Sequence, residues 1–514
     1  MKRLIALLIA ILILGIMFAG CGEDPDNSSG TSSAGNSDTQ SENTEDTNSN
    51  TNSGESSEEG ETLQLPDKYW GETLVMLVDK VRYYEEYEFW WEEAMDDVVV
   101  TAVVDRSRTI EEKYGIKIQL QYVDGLGKTI EEVDKAISGG LDLHLVADGA
   151  KYIAPATVNN WFYDLREENE KYGYLQLEAS WWDQTAIRDL SMGNRLFFLT
   201  GDICISDDVA TWAMFFNKDL IEQYHLENPY TLVKEGKWTL DQVHTMLKEV
   251  VLKNGETMSF EPEVGDRWGM VAQTYDALMF MLGSQQTMVA KNTEDLPELR
   301  IMDETNLQVW DKVFNLLTDT DNVGVADFFG AYNSGVYDKE VKIFSGGNAL
   351  FMPYGLNLLH VAEFTESDVN YGLVPMPKYS EAQDEYSSSA TVYWLKVVAV
   401  PLSNIDKVDC ALFAMEALAY YGQQYVTPKF YEQVMKGQKV KDEESEEMLD
   451  LIFRNRTYDM STVFDFGSGN NVMIQFYTSL LFGRPDNKIA SAYEQKVDIY
   501  QNAIDDFIDA FKNG

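Results

Sequence analysis

The chain contains few cysteines, few histidines and little positive charge. Its 514 residues include three cysteines and four histidines, and no HExxH or paired-cysteine spacing of a metal site is present. Cys204 and Cys410 lie in no CxxC pattern, so we expect buried free thiols, and a disulfide between them stays open. With 40 Lys and Arg residues against 86 Asp and Glu residues, the formal net charge is -46. This balance provides no basic surface for nucleic acid or for anionic lipid.

Catalytic motifs are also missing. The segment 125–129 looks like a phosphate-binding loop but lacks its first glycine, and 319–324 begins like a calcium loop but has Gly330 where the closing glutamate should stand. No G-x-S-x-G turn of a serine hydrolase occurs. The paired carboxylates of a glycosidase are not recognisable before a fold sets their separation. The sequence therefore predicts no catalytic residue, no metal and no cofactor, and we expect a protein that is not an enzyme.

The N-terminus has the form of a secretory signal. Lys2 and Arg3 precede an apolar run, 4–18, and small residues then lead to Cys21. The stretch 1–20 resembles the signal peptide of bacterial lipoproteins, with a lipobox that implies lipidation of Cys21. A plain transmembrane anchor is the alternative, although the run is shorter than the ~20 residues of a spanning helix. We therefore expect the mature protein on the outer face of the cell membrane, held by a lipid anchor.

Residues 21–66 form a predicted tether. They are mostly Ser, Asn, Thr, Gly, Asp and Glu, with no Lys or Arg. Such a composition buries too little apolar surface to offset the entropy of ordering, so this segment should stay disordered. Random-coil scaling gives the tether a reach of roughly 35–40 Å. The folded part that follows would thus be held off the membrane but close to it.

The remaining chain is rich in aromatic residues and long enough for two domains. Its apolar periodicity alternates between strand and helix, which indicates parallel α/β units. Predicted strands are Glu72–Val78, Ile116–Val123, Leu141–Ala147 and a strand that ends at Phe215–Phe216. Predicted helices are one that buries Val99, Val103 and Ile110, one that begins at a Thr239–Gln242 capping box, and a long amphipathic helix from Ile489 onward.

Several short motifs, in one order along the chain, carry a resemblance to a known family. They are Leu141–Leu143 with Trp161–Leu165, Phe215–Leu220 (FFNKDL), Gly236–Leu240 (GKWTL), Phe344–Met352 (FSGGNALFM), Tyr371–Pro377 (YGLVPMP) and Val397–Ala417. The chain resembles the extracellular solute-binding lipoproteins of ABC importers. In particular it is similar to family 1, the large sugar-binding group that includes maltose-binding proteins.

The resemblance implies a fold and a role. The fold would be α/β and of the periplasmic-binding-protein type II kind, with two α/β lobes joined by three crossover segments around a ligand cleft. Lobe one would comprise 67–207 with 395–457, and lobe two 208–394 with 458–514. The role would be that of a monomeric receptor that captures a carbohydrate, expected to be an oligosaccharide, by hinge closure. It would deliver this ligand to the transmembrane subunits of an ABC permease.

Position relative to the family pattern also implies a set of ligand-binding residues. Asp148 and Tyr152 follow a predicted strand, at the edge of an α/β sheet where ligands usually bind. Aromatic rings are expected to stack on sugar rings, and carboxylates to accept from sugar hydroxyls. The other expected contacts, at the crossovers or on lobe two, are Asp208, Trp212, Tyr275, Tyr354, Tyr393, Trp394 and Asp465. The doublets Trp90–Trp91 and Trp181–Trp182 are interpreted as packing.

Two alternatives stay open at the level of the sequence. The same receptor role would suit a peptide, a polyamine or another non-sugar solute. A surface-anchored glycan-active enzyme or adhesin is the second alternative, although an adhesin should show short strands at regular spacing.

Overall fold

A computed structural model describes residues 61–79, 88–89, 97–125, 127–431, 442–466 and 471–513. These residues belong to one compact unit, Gly60–Gly514. Cys21, the signal segment 1–20, the Trp90–Trp91 doublet and most of the 21–66 tether lie outside the described ranges.

The strands are short and fall into two main sheets. In chain order they are β1 (Glu72–Asp79), β2 (Ile116–Val123), β3 (Leu145–Gly149), β4 (Phe198–Leu199), β5 (Trp212–Asn217), β6 (Trp268–Ala272), β7 (Val289–Lys291), β8 (Pro297–Leu299), β9 (Val323–Val325), β10 (Ala349–Gly355), β11 (Tyr371–Val374), β12 (Ser388–Ser389), β13 (Lys396–Ala399) and β14 (Arg456–Thr457).

The α-helices surround these sheets. They are α1 (Val98–Tyr114), α2 (Lys128–Gly139), α3 (Ala150–Ala156), α4 (Leu165–Tyr172), α5 (Gln184–Leu190), α6 (Ser206–Ala210), α7 (Lys218–Gln223), α8 (Pro229–Lys234), α9 (Leu240–Met246), α10 (Asp276–Gly283), α11 (Glu304–Leu317), α12 (Val336–Ser345), α13 (Ala362–Thr365), α14 (Val408–Tyr421), α15 (Thr427–Phe430), α16 (Glu443–Arg454), α17 (Met460–Val463), α18 (Gln475–Leu481) and α19 (Ile489–Asn513). Within the described ranges, none of the helices combines the length and the apolar character that a bilayer crossing requires.

The first sheet has five strands in the order β2-β1-β3-β13-β4. β1 pairs in parallel with β2 and β3, whereas β13 runs antiparallel to β3 and β4. Four of its strands therefore come from residues 72–199, and the fifth comes from residues 396–399.

The second sheet has five strands in the order β11-β5-β10-β6-β9. β6 lies parallel to β10 and β9, and β5 runs antiparallel to β10 and β11. All of these strands come from residues 212–374. Two helix-covered sheets form the two-lobed α/β architecture that the sequence predicted. Antiparallel β5 and β13 make the sheets mixed, whereas the strand–helix alternation predicted parallel units.

Helices begin where the sequence supplies a capping side chain. Asp97 accepts hydrogen bonds from two backbone N–H groups of α1, and Thr239 accepts one from the N–H of Gln242 in α9. Each cap satisfies N–H groups that have no acceptor inside the helix. Gln242 does not complete the predicted capping box, because its side chain donates to Glu227 instead.

Three segments of the chain cross between the sheets side by side. Thr211 and Ala390 form an antiparallel bridge, and β12 pairs in parallel with β14. We call these residues, 210–211, 388–391 and 456–457, the crossover ribbon. Hydrogen bonds thus join these segments to one another where they pass between the sheets. The lobe boundaries assigned from the sequence remain predictions.

The third strand begins later than the sequence predicted. The pattern predicted Leu141–Ala147, whereas β3 begins at Leu145 and Leu141 is 58% exposed. Gly140 directly before it has a φ of 63°, a left-handed turn conformation that glycine adopts readily. Pairing with β1 therefore starts only at Leu145, opposite Met76. The predictions for β1, β2 and α19 are confirmed.

The burial of the two cysteines and of one tryptophan doublet tests two further predictions. Cys204 and Cys410 are both buried and free, so the prediction of buried thiols is confirmed and no disulfide joins them. Trp181 and Trp182 are both buried, which confirms the packing interpretation of this doublet.

Candidate binding site between the lobes

Three of the predicted aromatic residues lie together at one edge of the second sheet. β5 begins at Trp212, β10 ends beside it with Tyr354, and Tyr275 follows the end of β6. The register pairs Gly355 with Trp212 and Tyr354 with Ala213. Because β6 and β10 are parallel and β5 is antiparallel to β10, these residues meet at the carboxyl edge of the parallel strands. That edge is where ligands bind in open α/β sheets.

These rings continue toward the first sheet as a row. Trp212 stacks on Tyr354, with ring centroids 5.8 Å apart and an interplanar angle of 14°. Trp212 also meets Tyr275 edge to face at 5.6 Å, and Tyr275 meets Tyr393 in the same way at 5.5 Å. Tyr393 lies just before β13 of the first sheet. These four residues, here called the aromatic row, therefore link the facing edges of the two sheets.

Hydrogen bonds hold the row in place. The Tyr275 hydroxyl lies 2.8 Å from the Thr391 hydroxyl on the crossover ribbon, and Trp212 Nε1 donates to Asp276 Oδ1 at 2.8 Å. Trp212 is 5% exposed, whereas the other three rings of the row are half-buried. Rings that are fixed in position and partly open offer apolar faces to a ligand.

The first lobe adds a cation and a further ring next to this row. Lys151 Nζ lies 4.1 Å from the ring centroid of Tyr393 and 5.1 Å from that of Tyr152, and it donates to Asn471 Oδ1 at 3.1 Å. Tyr152 packs against Gly127, where a Cβ would lie 2.8 Å from Tyr152 Cδ1. Gly127 also has a φ of 71°, so both space and backbone require glycine here. Tyr152 and Lys151 thus join Tyr393 between the lobes.

Next to the second-lobe end of the row, two carboxylates are bound to one glutamine. Gln273 donates its backbone N–H to Asp276 Oδ2 at 2.6 Å and its side-chain Nε2 to Glu340 Oε2 at 2.9 Å. Asp276 and Glu340 are both fully buried. Burial raises the pKa of Asp276 to about 8 and the pKa of Glu340 well above its usual range, because a low-dielectric environment disfavours the charged form.

Asp148 is fully buried at the end of β3. It accepts hydrogen bonds from the Thr129 hydroxyl and from Gly149 N–H. Burial, and then the nearby Asp79, raise the pKa of Asp148 above its usual value. Lys396 Nζ, 3.5 Å from Asp79 Oδ1, is the basic group of this cluster. The Asp148 side chain is thus occupied inside the first lobe, and its role as a ligand contact remains a prediction.

Asp208 is engaged by the crossover ribbon. Its Oδ1 lies 2.7 Å from Arg456 Nη1. Arg456 Nη2 also lies 2.8 Å from Asp183 Oδ2 and 3.0 Å from Asp207 Oδ2. The structure therefore ties Asp208 to the third crossing segment and shows no contact of it with the aromatic row among the described residues. A ligand role for Asp208 stays a prediction.

Asp465 shapes the segment that meets Lys151. Its carboxylate accepts from the backbone N–H groups of Asn471 (2.7 Å) and Met473 (3.0 Å), and Asn471 is the residue that accepts from Lys151. Trp394, the remaining predicted contact, is half-buried directly after Tyr393. Direct ligand contacts by Asp465 and Trp394 remain predictions.

The sequence predicted the rings of this site better than its polar groups. Sequence reasoning missed Lys151, Gln273, Asp276, Glu340 and Asn471. Two of these directly neighbour a predicted ring, Lys151 before Tyr152 and Asp276 after Tyr275, and this adjacency was the signal available. Glu340 lies within α12 and carries no motif. In the part of the chain that the structure describes, no group of His, Cys, Asp and Glu side chains has the arrangement of a metal site.

Solved structures match this architecture over most of both chains. A cyclo/maltodextrin-binding protein in complex with maltotetraose matches with a TM-score of 0.56 and 14% identity, over 84% of this chain and 97% of its own. An ABC substrate-binding protein from Listeria monocytogenes in complex with cycloalternan matches with 0.53 and 12%, over 85% and 99%. A sugar transporter from Rhizobium etli in an open conformation matches with 0.54 and 13%, over 84% and 99%. The chain has the fold of ABC-transporter solute-binding proteins.

Within this solute-binding fold, the two sheets and the crossover ribbon place the aromatic row between the lobes. No family model matches the chain, and no curated protein matches it. The solved structures share 12% to 14% of their residues with it, so the likeness identifies the fold, and the ligand has to be argued from the site.

Proposed function

We propose that this protein is the extracellular receptor of an ABC importer and that it captures a carbohydrate, an oligosaccharide, between its lobes. The lobes would close around the sugar by bending at the crossover ribbon, and the loaded receptor would dock on the transmembrane subunits of a permease. A ligand drives such closure only by binding the closed form more tightly than the open form. The proposed role is binding without catalysis.

The aromatic row is the observation that carries this proposal. Sugar rings present apolar C–H faces, which stack on aromatic faces, and hydroxyl groups, which donate to carboxylates and amides. The row supplies rings at the facing edges of both sheets, and Lys151, Asn471, Asp276 and Glu340 supply polar groups around it. Structural relatives with the same fold are bound to maltotetraose and cycloalternan, which supports an oligosaccharide.

A thermal-shift screen tests the ligand class. We expect the melting temperature of the full chain to rise with one series of oligosaccharides and to stay unchanged with peptides and polyamines. A ligand that binds only the folded state, held at ~100 times its Kd, adds ~2.7 kcal/mol of stability. Stabilisation by peptides alone would contradict the carbohydrate part of the proposal and leave the receptor role standing.

Replacement of one ring tests the position of the site. Tyr393→Ala should weaken oligosaccharide binding by about 1–3 kcal/mol, the usual scale for an aromatic anchor, as measured by titration calorimetry. Tyr371→Ala is the matched control, because Tyr371 is also half-buried but lies opposite Asn217, at the far edge of the second sheet. Equal affinity of Tyr393→Ala and the wild type would show that the ligand binds elsewhere.

A further inference from the structure

The carboxylate pair beside Trp212 lacks a positive partner. Asp276 and Glu340 are fully buried, and no Lys or Arg among the described residues pairs with either of them. Glu340 Oε1 has no hydrogen-bond partner in the described part of the chain. Burial raises the pKa of both groups, so in the free protein the pair avoids the cost of a buried negative charge by holding protons. A positively charged group bound at Glu340 Oε1 would favour the ionised form of that carboxyl group and take the place of its proton.

A third acidic side chain, Asp327, lies near the pair. Asp327 Oδ2 accepts from Thr274 N–H at 2.7 Å, one residue after the glutamine that joins the pair, and Asp327 Oδ1 accepts from the Tyr337 hydroxyl at 2.7 Å. These bonds come from neutral donors. They orient Asp327 without supplying a positive charge.

Asn357, a neutral side chain near the Trp212 indole, also has an oxygen atom without a described hydrogen-bond donor. Asn357 is 7% exposed, and its Oδ1 has no hydrogen-bond partner among the described residues. A Cβ built on Gly355 would lie 2.3 Å from Asn357 Oδ1 and 3.0 Å from Trp212 Cζ3. Asn357 Oδ1 therefore lies close to Trp212, whose Nε1 already donates to Asp276. Asn357 Oδ1 is an acceptor, and Glu340 Oε1 becomes one when its carboxyl group is ionised, so a hydrogen-bond donor would partner both oxygens.

We propose that the second-lobe end of the site binds a protonated amine. This inference rests on the proposed receptor function and narrows its ligand to a solute that carries an ammonium group, as an amino sugar does. Glu340 Oε1 would accept a charge-assisted hydrogen bond from the amine, and the faces of Trp212 and Tyr354 would attract its charge. Because both carboxylates are covered, the amine reaches them when covering side chains such as Tyr354 move aside.

Titration calorimetry on the full chain tests the amine without any mutation. The probes are a glucosamine oligosaccharide, its N-acetylated counterpart, a neutral glucose oligosaccharide of the same length, and spermidine. We expect the glucosamine oligosaccharide to bind about tenfold or more tightly than its N-acetylated counterpart, because acetylation removes the charge.

The other possible outcomes of this titration distinguish the amine proposal from the carbohydrate proposal. Equal or tighter binding of the N-acetylated or neutral sugar would overturn the amine and leave the carbohydrate receptor intact. Binding of spermidine with no sugar bound would support the amine and overturn the carbohydrate. If no probe binds, both proposals fail for these ligands and the amine inference is overturned.

Glu340→Gln tests which group receives the amine. The new amide N–H₂ can take the place of the unpartnered Oε1, so the bond from Gln273 to the other oxygen is kept. The affinity for the glucosamine oligosaccharide should fall about tenfold while that for the N-acetylated form stays unchanged. Glu416→Gln is the matched control, because it neutralises a buried glutamate of the first lobe, and it should leave the ratio of the two affinities as in the wild type. If Glu340→Gln leaves the ratio of the two affinities unchanged, the assignment of Glu340 as the acceptor of the amine is overturned.

Discussion

Each lobe contains a fully buried glutamate, and the two glutamates have different hydrogen-bond partners. Glu416 in α14 accepts from the indole N–H groups of Trp181 (3.0 Å) and Trp182 (2.9 Å). Both rings of the doublet therefore turn toward one carboxylate, which is possible because the doublet lies in a turn and not in a helix. In the second lobe, Glu340 has a glutamine on one oxygen and no described partner on the other. The first arrangement is complete within the protein, whereas the second has one carboxyl oxygen without a described partner.

Glu416 is one of the buried acids that make stability depend on pH. Burial raises the pKa of Glu416 from 4.5 to about 7, so the folded state binds its proton more readily than the unfolded state. The contribution of this group to stability is fully present below pH 4.5 and is lost as the pH rises through 7, a change on the order of 3 kcal/mol. We expect the melting temperature to fall between pH 5 and pH 8. Glu416→Gln should make this slope shallower, and an unchanged slope would contradict the assignment.

At the scale of elements, the crossover ribbon is held by both backbone and charge. Its segments pair through β12 and β14 and through the bridge at Thr211. Arg456, on the third segment, contacts three aspartates of the first lobe and first crossover, and its side chain is 11% exposed. One guanidinium thus offsets several carboxylates at the crossover ribbon.

Loss of this guanidinium should destabilise the protein strongly. Arg456→Met leaves the aspartates buried without their cation, which should lower the free energy of unfolding in urea by about 3–5 kcal/mol. Arg300→Met is the control, because Arg300 pairs with Glu298 (3.1 Å) and Asp303 (3.6 Å) at a more exposed position and should cost less than about 1 kcal/mol. Similar losses in both variants would mean that the ribbon does not depend on its charge cluster.

At the scale of the whole molecule, we propose that a lipid on Cys21 holds the receptor at the outer face of the cell membrane. The apolar run 4–18 and the small residues before Cys21 support this proposal. The polar tether that follows would keep the lobes within roughly 35–40 Å of the surface. A ligand captured there would stay close to the permease.

Cys21→Ser tests the anchor. The wild type, expressed in a bacterium with lipoprotein-processing enzymes, should partition into the detergent phase on detergent phase separation, because acyl chains contribute ~0.8 kcal/mol per buried CH₂. Cys21→Ser should move to the aqueous phase or remain unprocessed with an uncleaved N-terminus. A cleaved Cys21→Ser protein that still enters the detergent phase would show that another segment holds the protein at the membrane.

Much of the local structure could be predicted because periodicity is a local property. Alternating apolar residues defined β2, and the apolar stripe from Ile489 onward defined α19, since burial of one face depends only on spacing along the element. The aromatic residues of the site could be predicted for a related reason. Trp212, Tyr275 and Tyr354 each lie at or just beyond a strand end, and the resemblance placed such ends at the cleft.

The polar half of the site was decided by tertiary structure alone. Asp208 is predicted as a ligand contact from its place at the first crossover. Its partner Arg456, 248 residues away in the chain, could not be predicted, because no local pattern reports which segments cross side by side. Glu340 had no sequence signal, because its link to Gln273 exists only when α12 packs beside the end of β6. Spacing along the chain therefore determined which residues face inward and which elements form. Only the packing of distant segments decided which buried charges found partners and which were left to a ligand.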